Sequence, residues 1–160
     1  MKFLLVAINA KYIHSNLAVY SLKTYAQKYG KGNSQIEIAE YTINQYTEEI
    51  MRDIYERRPD AIGFSCYIWN ISMVKEIISD YKKVCPNVEI WVGGPEVSYN
   101  AEDLLLQNQD IDYVMYGEGE EVFRNVLNAY EENGIDKNKL CDINGIVYRQ
   151  EDKVIITMPE

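Results

Sequence analysis

"FLLVAI", residues 3–8, is six apolar residues in a row. A surface helix or a half-exposed strand would break such a run with polar residues. A strand buried on both faces would not. The stretch therefore predicts a central strand in a sheet covered on both sides. Just downstream, residues 16–29 place Ala18, Leu22, Tyr25, Ala26 and Tyr29 on one helical stripe. "QIEIAEY" (35–41) then alternates Ile36 and Ile38 with Glu37, the mixed pattern of an edge strand.

The same alternation of strand and helix continues. Thr47 is placed to cap a helix whose stripe is Ile50, Met51, Ile54 and Tyr55. "DAIGFSC" (60–66) is a third strand. Residues 70–84 carry Ile71, Val74, Ile77, Ile78 and Tyr81 at helical spacing and stop before Pro86. "VEIWV" (88–92) is a fourth strand, 100–109 a short helix with Leu104 and Leu105 inward, and "DYVMY" (112–116) a fifth strand. A last helix over 119–132 shows Val122, Phe123, Val126, Leu127 and Tyr130, and Gly134 ends it.

Five successive βα units predict an α/β fold: a flavodoxin-like, Rossmann-like, doubly wound parallel sheet. The polar second strand favours the order 2-1-3-4-5. "GIVYR" (145–149) and "KVIIT" (153–157) flank "QED" and predict a C-terminal β-hairpin. We divide the chain into an α/β domain, 1–134, and a linker with hairpin, 135–160. A hairpin at so abrupt an end suggests a fragment of a longer protein. The opening "MKFLLVAINAKYIHS" is too short an apolar run for a signal peptide and reads as a strand at the N-terminus.

Composition narrows the function. A formal net charge of −9 gives no attraction to nucleic acid or to an anionic membrane surface. No apolar segment reaches the ~18 residues of a membrane span. Cys66, Cys85 and Cys141 are odd in number and follow neither a disulfide nor a metal spacing, which fits a reducing, cytoplasmic setting. Cys85 and Cys141 read as structural. Cys66 stands at a strand mouth, either as a reactive thiol or as a small buried one.

In an open parallel sheet, ligands bind beyond the C-terminal strand ends. Four loops lie there: 9–16, 65–70, 93–99 and 117–120. A flavin phosphate loop, a receiver's acceptor aspartate and a G-x-G-x-x-G dinucleotide turn are all missing from them. What remains is a rim of glycine, hydroxyl and aromatic groups. Gly93, Gly94 and Gly117 allow close backbone approach. Ser65, Ser98 and Asn70 can hydrogen-bond neutral groups. Tyr12, Tyr67, Trp69 and Tyr99 offer flat surfaces. The mix suits a large ligand with an aromatic part and many amides.

Taken in order, "NAKYIHSNLAVYSL", "AIGFSCYIW", "WVGGPEVS", "YVMYGEGEEVF" and "INGIVYR" resemble the N-terminal cobalamin-binding domain of B12-dependent radical S-adenosylmethionine proteins. Within that family the motifs resemble the anaerobic magnesium-protoporphyrin monomethyl ester cyclase group. The resemblance implies a flavodoxin-like fold holding cobalamin, with its dimethylbenzimidazole tail between strand ends. Ser65 and the Gly93–Gly94–Pro95 turn would line the tail cavity, with Tyr67, Trp69 and Ser98 beside it. Gly117, Glu118, Gly119 and Glu120 would close the far wall. Loop residues 11–16, with Lys11 and Tyr12, would face the corrin ring.

Two departures qualify the resemblance. The methyltransferase-type signature D-x-H-x-x-G is absent: Asn9 and Lys11 replace the aspartate and histidine, and His14 is offset by three positions. The resemblance then implies cobalamin without a lower axial histidine. No C-x-x-x-C-x-x-C occurs, so the resemblance implies that a 4Fe-4S cluster and S-adenosylmethionine would belong to a radical barrel farther along the same polypeptide. The fragment alone would position the cofactor, with catalysis in the barrel. The alternative is a flavodoxin-like interaction module without a cofactor. Glu118, Glu120 and Glu121 either accept hydrogen bonds from ligand amides or simply stabilise a helix N-terminus.

Overall fold

The computed structural model describes residues 1–133, Asp136 and residues 138–159. Its strands are β1 (Lys2–Asn9), β2 (Gln35–Thr42), β3 (Ala61–Ser65), β4 (Glu89–Gly93), β5 (Tyr113–Met115), β6 (Ile146–Gln150) and β7 (Lys153–Ile156). They form one seven-stranded sheet, ordered β2-β1-β3-β4-β5-β6-β7. The first five are parallel in the expected order, and β5–β6 and β6–β7 are antiparallel. The hairpin thus extends the sheet. Ile146, Val147 and Tyr148 are buried because β6 lies inside it, while β7 is the more exposed edge.

The helices are α1 (Leu17–Tyr29), α2 (Thr47–Arg57), α3 (Ile71–Val84), α4 (Pro95–Ser98), α5 (Ala101–Gln107) and α6 (Gly119–Asn133). Strand alternation sorts β1 between two cores. Leu4, Val6 and Ile8 pack with Ile50 and Ile54 of α2 and Ile77 and Ile78 of α3. Phe3, Leu5 and Ala7 pack with Val19 and Ala26 of α1 and Phe123 and Val126 of α6. A strand with both faces covered must be apolar throughout, which is what "FLLVAI" is.

Three local expectations change. Thr47 does not cap α2; Tyr46 holds the cap position without a side-chain bond, and the Thr47 hydroxyl donates to Glu76 at 3.3 Å. On α1, Val19 and Ala26 are buried, while Ala18 and Tyr29 are exposed. The helix expected over 100–109 is shorter, and α4 precedes it, started by Pro95 at a first-turn position where a missing N–H costs nothing. The stop expected at Gly134, and the domain boundary set after it, lie outside the described residues.

Candidate functional site

The α1/α6 face of the sheet tapers. At the N-terminal half of the strands it carries Phe3, Trp91 and Tyr113, with Phe123 edge-on to Phe3 at 5.0 Å and Trp91 stacked on Tyr113 at 4.1 Å. Toward the C-terminal ends the same face carries Ala7, Gly63, Ser65 and Gly93. Register sets these small residues together: Ser65 lies beside both Ala7 and Gly93, and Gly63 beside Leu5. Large rings fill one end and almost nothing fills the other. A cavity of about 400 Å³ results, between the strand tips and the start of α1 and α6.

Ser65, Tyr67, Gly93, Gly94, Pro95, Ser98, Gly117 and Gly119 all line this cavity. Trp69 lines a neighbouring groove of about 420 Å³, beside Asn9, His14 and Asn16. Tyr67 and Ala18 border both spaces, and the Tyr67 and Trp69 rings stack at 4.4 Å. The structure brings Lys11, Tyr12 and Glu118 to neither wall; all three are exposed. Ala18, Val19 and Leu22 of α1 complete the cavity, a wall that sequence reading missed because they look like an ordinary helical stripe.

The two adjacent glycines differ in what they permit. Gly94 has φ 108°, and a Cβ there would stand 2.5 Å from the Cys66 carbonyl oxygen. The turn it makes is held by the Cys66 N–H donating to Gly93 O at 2.7 Å. Gly93 is extended, and a Cβ there would find nothing nearer than Met115 O at 3.5 Å. Gly94 is therefore required by the turn, whereas Gly93 leaves space on the cavity side.

Polar groups are arranged with equal economy. Asn70 is not available to a ligand: its amide donates to Ile8 O and Ser65 O, each at 3.0 Å, and its Oδ1 accepts from Tyr67 N–H. The Ser98 hydroxyl donates to Gly94 O at 2.8 Å. Asn16 caps α1, its Oδ1 accepting from Ala18 N–H at 3.0 Å, while its Nδ2 donates to Ser65 Oγ at 3.1 Å. Glu40, from β2, gathers the first loop by accepting from Asn9 Nδ2, Asn16 N–H and the Tyr20 hydroxyl. Burial pushes the Glu40 carboxyl up, but those hydrogen bonds outweigh it and leave it below the ordinary 4.5.

The acidic turn is explained by helix–helix contact. The Ser21 hydroxyl donates to Glu120 at 2.6 Å and the Tyr25 hydroxyl to Glu121 at 2.9 Å, tying α1 to α6. Glu118 contributes its carbonyl, which accepts from Glu121 and Val122 N–H. Cys66 is fully buried, and burial pushes its thiol up to about 12, so it is not a nucleophile. On the segments that follow β1, β3 and β4, the apolar side chains of Tyr12, Ile13, Leu17, Ile68 and Tyr99 are exposed.

Among the described residues, no helix is long and apolar enough to cross a membrane, and no three His, Cys, Asp or Glu side chains gather as a metal site. The B12 binding domain family matches residues 4–127. The cobalamin-dependent radical SAM methyltransferase TokK of Streptomyces tokunonensis is 33% identical over 69 residues, 43% of this chain and 10% of that protein. The anaerobic magnesium-protoporphyrin IX monomethyl ester cyclase of Rubrivivax gelatinosus is 24% identical over 129 residues, 80% of this chain and 23% of that one. The chain thus spans under a quarter of these relatives. The solved structure of the cobalamin-dependent S-adenosylmethionine radical enzyme OxsB, with aqua-cobalamin and S-adenosylmethionine bound, superposes with TM-score 0.80 at 21% identity. It covers 99% of this chain and 22% of OxsB, and at that identity it shows a shared fold.

Proposed function

The chain belongs to the B12-binding domain family, and from that premise we propose that it holds cobalamin at its strand tips and presents it to a radical S-adenosylmethionine barrel of the same polypeptide. One observation carries the reading. The space between the tips is walled by Gly63, Ser65 and Gly93 and by the first turns of α1, so it is mostly apolar and free of cationic side chains, and Glu120, the carboxylate on its wall, is engaged by Ser21. That is the chemistry a neutral benzimidazole requires. A side chain at Gly93 would enter it, and the glycine is not demanded by its backbone.

The residues fit distinct tasks. Ser65, Gly93, Gly94, Pro95, Ser98, Gly117 and Gly119 surround the tail. Tyr67 and Trp69 stand where the cavity opens into the groove, the exposed Lys11 and Tyr12 would face the corrin ring, and the exposed Glu118 would stand outside the tail cavity. Bound cobalamin would supply the chemistry at cobalt, as methyl carrier or redox centre. This chain's residues orient it and exclude water from its tail. Loss of D-x-H-x-x-G after β1 supports a cobalt without a histidine of this chain on its lower face. The 4Fe-4S cluster and S-adenosylmethionine would sit in the barrel, reached after the hairpin that closes the α/β domain. The free thiols suit a cytoplasmic protein, and the acidic surface argues against nucleic acid.

Mixing the chain with hydroxocobalamin, desalting and recording the visible spectrum tests the proposal. Retained corrin absorbance near one equivalent is expected, and its loss in Gly93→Val. A folded protein that retains none would favour the second reading, a cofactor-free interaction module, to which the exposed apolar rim of Tyr12, Ile13, Leu17 and Tyr99 lends support.

A further inference from the structure

Asn16 faces the groove, and Ser65 faces the cavity; one hydrogen bond joins them. Its direction is determined. The Ala18 backbone N–H can only donate, so the Asn16 atom that meets it is Oδ1. The atom toward Ser65 is therefore the amide nitrogen, and Ser65 Oγ accepts. A serine hydroxyl carries one proton. Among the described residues, Ser65 Oγ donates to no protein group, whereas Ser98 spends its proton on Gly94 O. Ser65 is thus left with a proton to give, at the edge of the cavity.

Asn16 is not free to reverse this. It is nearly buried, its own N–H donates to Glu40 at 3.2 Å, and Glu40 is held by Asn9 and Tyr20 as well. We infer that Asn16 is a positioning residue that fixes Ser65 as a hydrogen-bond donor, so that the cavity selects a buried ring bearing an accepting nitrogen. The inference rests on the cobalamin reading and sharpens it. A cobamide whose lower base is a benzimidazole has such a nitrogen. One whose lower base is a phenol ring does not, and it would leave the Ser65 proton unpaired in an apolar slot.

The test compares hydroxocobalamin with a phenolic-base cobamide, binding each to the 160-residue chain and following corrin absorbance by titration. Asn16→Asp keeps an oxygen for the Ala18 cap but offers Ser65 an acceptor, which turns the serine proton away from the cavity. Ser65→Ala removes the proton outright. Each variant should weaken cobalamin by about tenfold and leave the phenolic cobamide bound as well as before or more tightly, because the proton that ring leaves unpaired is removed or turned away. The double variant should be no weaker than Ser65→Ala alone, since both act on one bond. Circular dichroism melting checks the fold, and Ser65→Ala carries the test should Asn16→Asp be unstable. Equal weakening of both cobamides by Asn16→Asp, or an unchanged preference in Ser65→Ala, overturns the inference. A folded wild type that binds neither overturns the cobalamin reading beneath it.

Discussion

Replacing each of two adjacent glycines separates what the turn after β4 needs from what the cavity needs. Gly94 sits at φ 108° and ψ 173°, a region open in practice only to glycine, and a side chain forced there costs roughly 1–3 kcal/mol. The added Cβ also stands 2.5 Å from the Cys66 carbonyl oxygen, which is backbone and cannot swing aside. Relief requires the β3 and β4 tips to part, which strains the 2.7 Å bond from Cys66 N–H to Gly93 O, worth about 1 kcal/mol. Gly94→Ala should therefore destabilise by roughly 3 kcal/mol. With a urea m-value of about 2 kcal/mol/M, the midpoint would fall by about 1.5 M. Gly93→Ala meets only ordinary contacts and no positive φ, so its stability should hold or rise, by up to about 1 kcal/mol. Gly93→Val should keep the fold and lose retained hydroxocobalamin. A Gly94→Ala cost under about 1 kcal/mol, or equal costs for Gly93→Ala and Gly94→Ala, would refute this account of the turn.

Three further outcomes are expected. Glu40 has a folded pKa below its unfolded value, so its stabilising effect is complete above about pH 4.5 and is lost as pH falls through the lowered value. Urea melts of wild type and Glu40→Gln should differ at pH 7 and converge in acid; a gap that widens in acid contradicts the assigned hydrogen bonds. Arg149 on β6 donates to the carbonyls of Leu105, Gln109 and Ile111, so Arg149→Met should cost about 2 kcal/mol and loosen α5 in hydrogen exchange. Iodoacetamide at pH 8 should label exposed Cys141 first and buried Cys66 only on unfolding, read by peptide mass spectrometry.

Periodicity carried the fold a long way. All seven strands were legible, because a strand covered on both faces has no choice but to be apolar, as in "FLLVAI", and an edge strand cannot be. The hairpin's alternation showed that one face was covered. It did not show that β6 would lie inside the sheet, since that depends on an unpaired β5 edge and on Arg149 reaching α5. The cap at Thr47 failed because Tyr46 leads the helix in and Thr47 instead reaches Glu76 across to α3. On α1 the expected stripe holds at Leu22 and Ala26 but misses Val19, and Ala18 is exposed because it faces the cavity instead of the core.

The site was legible where one residue does one thing. Glycine and serine at consecutive strand ends marked the open end of the taper, and the register confirmed that they share a face. It was illegible where function is relational. Nothing in the spacing of residues 9, 16, 20, 40 and 65 shows that one carboxylate gathers a loop, or that the loop's asparagine decides which way a serine proton points. Nor could three glutamates in a turn be told from ligand contacts until Ser21 and Tyr25 were found opposite two of them. The same fact gives the site its character. Helix α1 is fastened at its far side to α6 by carboxylates and at its start to β3 by an amide. The wall over the cavity is thus held by polar bonds at the margin of the space it encloses, and most of the space itself can remain apolar. A wall held by packing alone would have closed on the small residues beneath it, because interiors fill to crystal-like density unless something holds the walls apart.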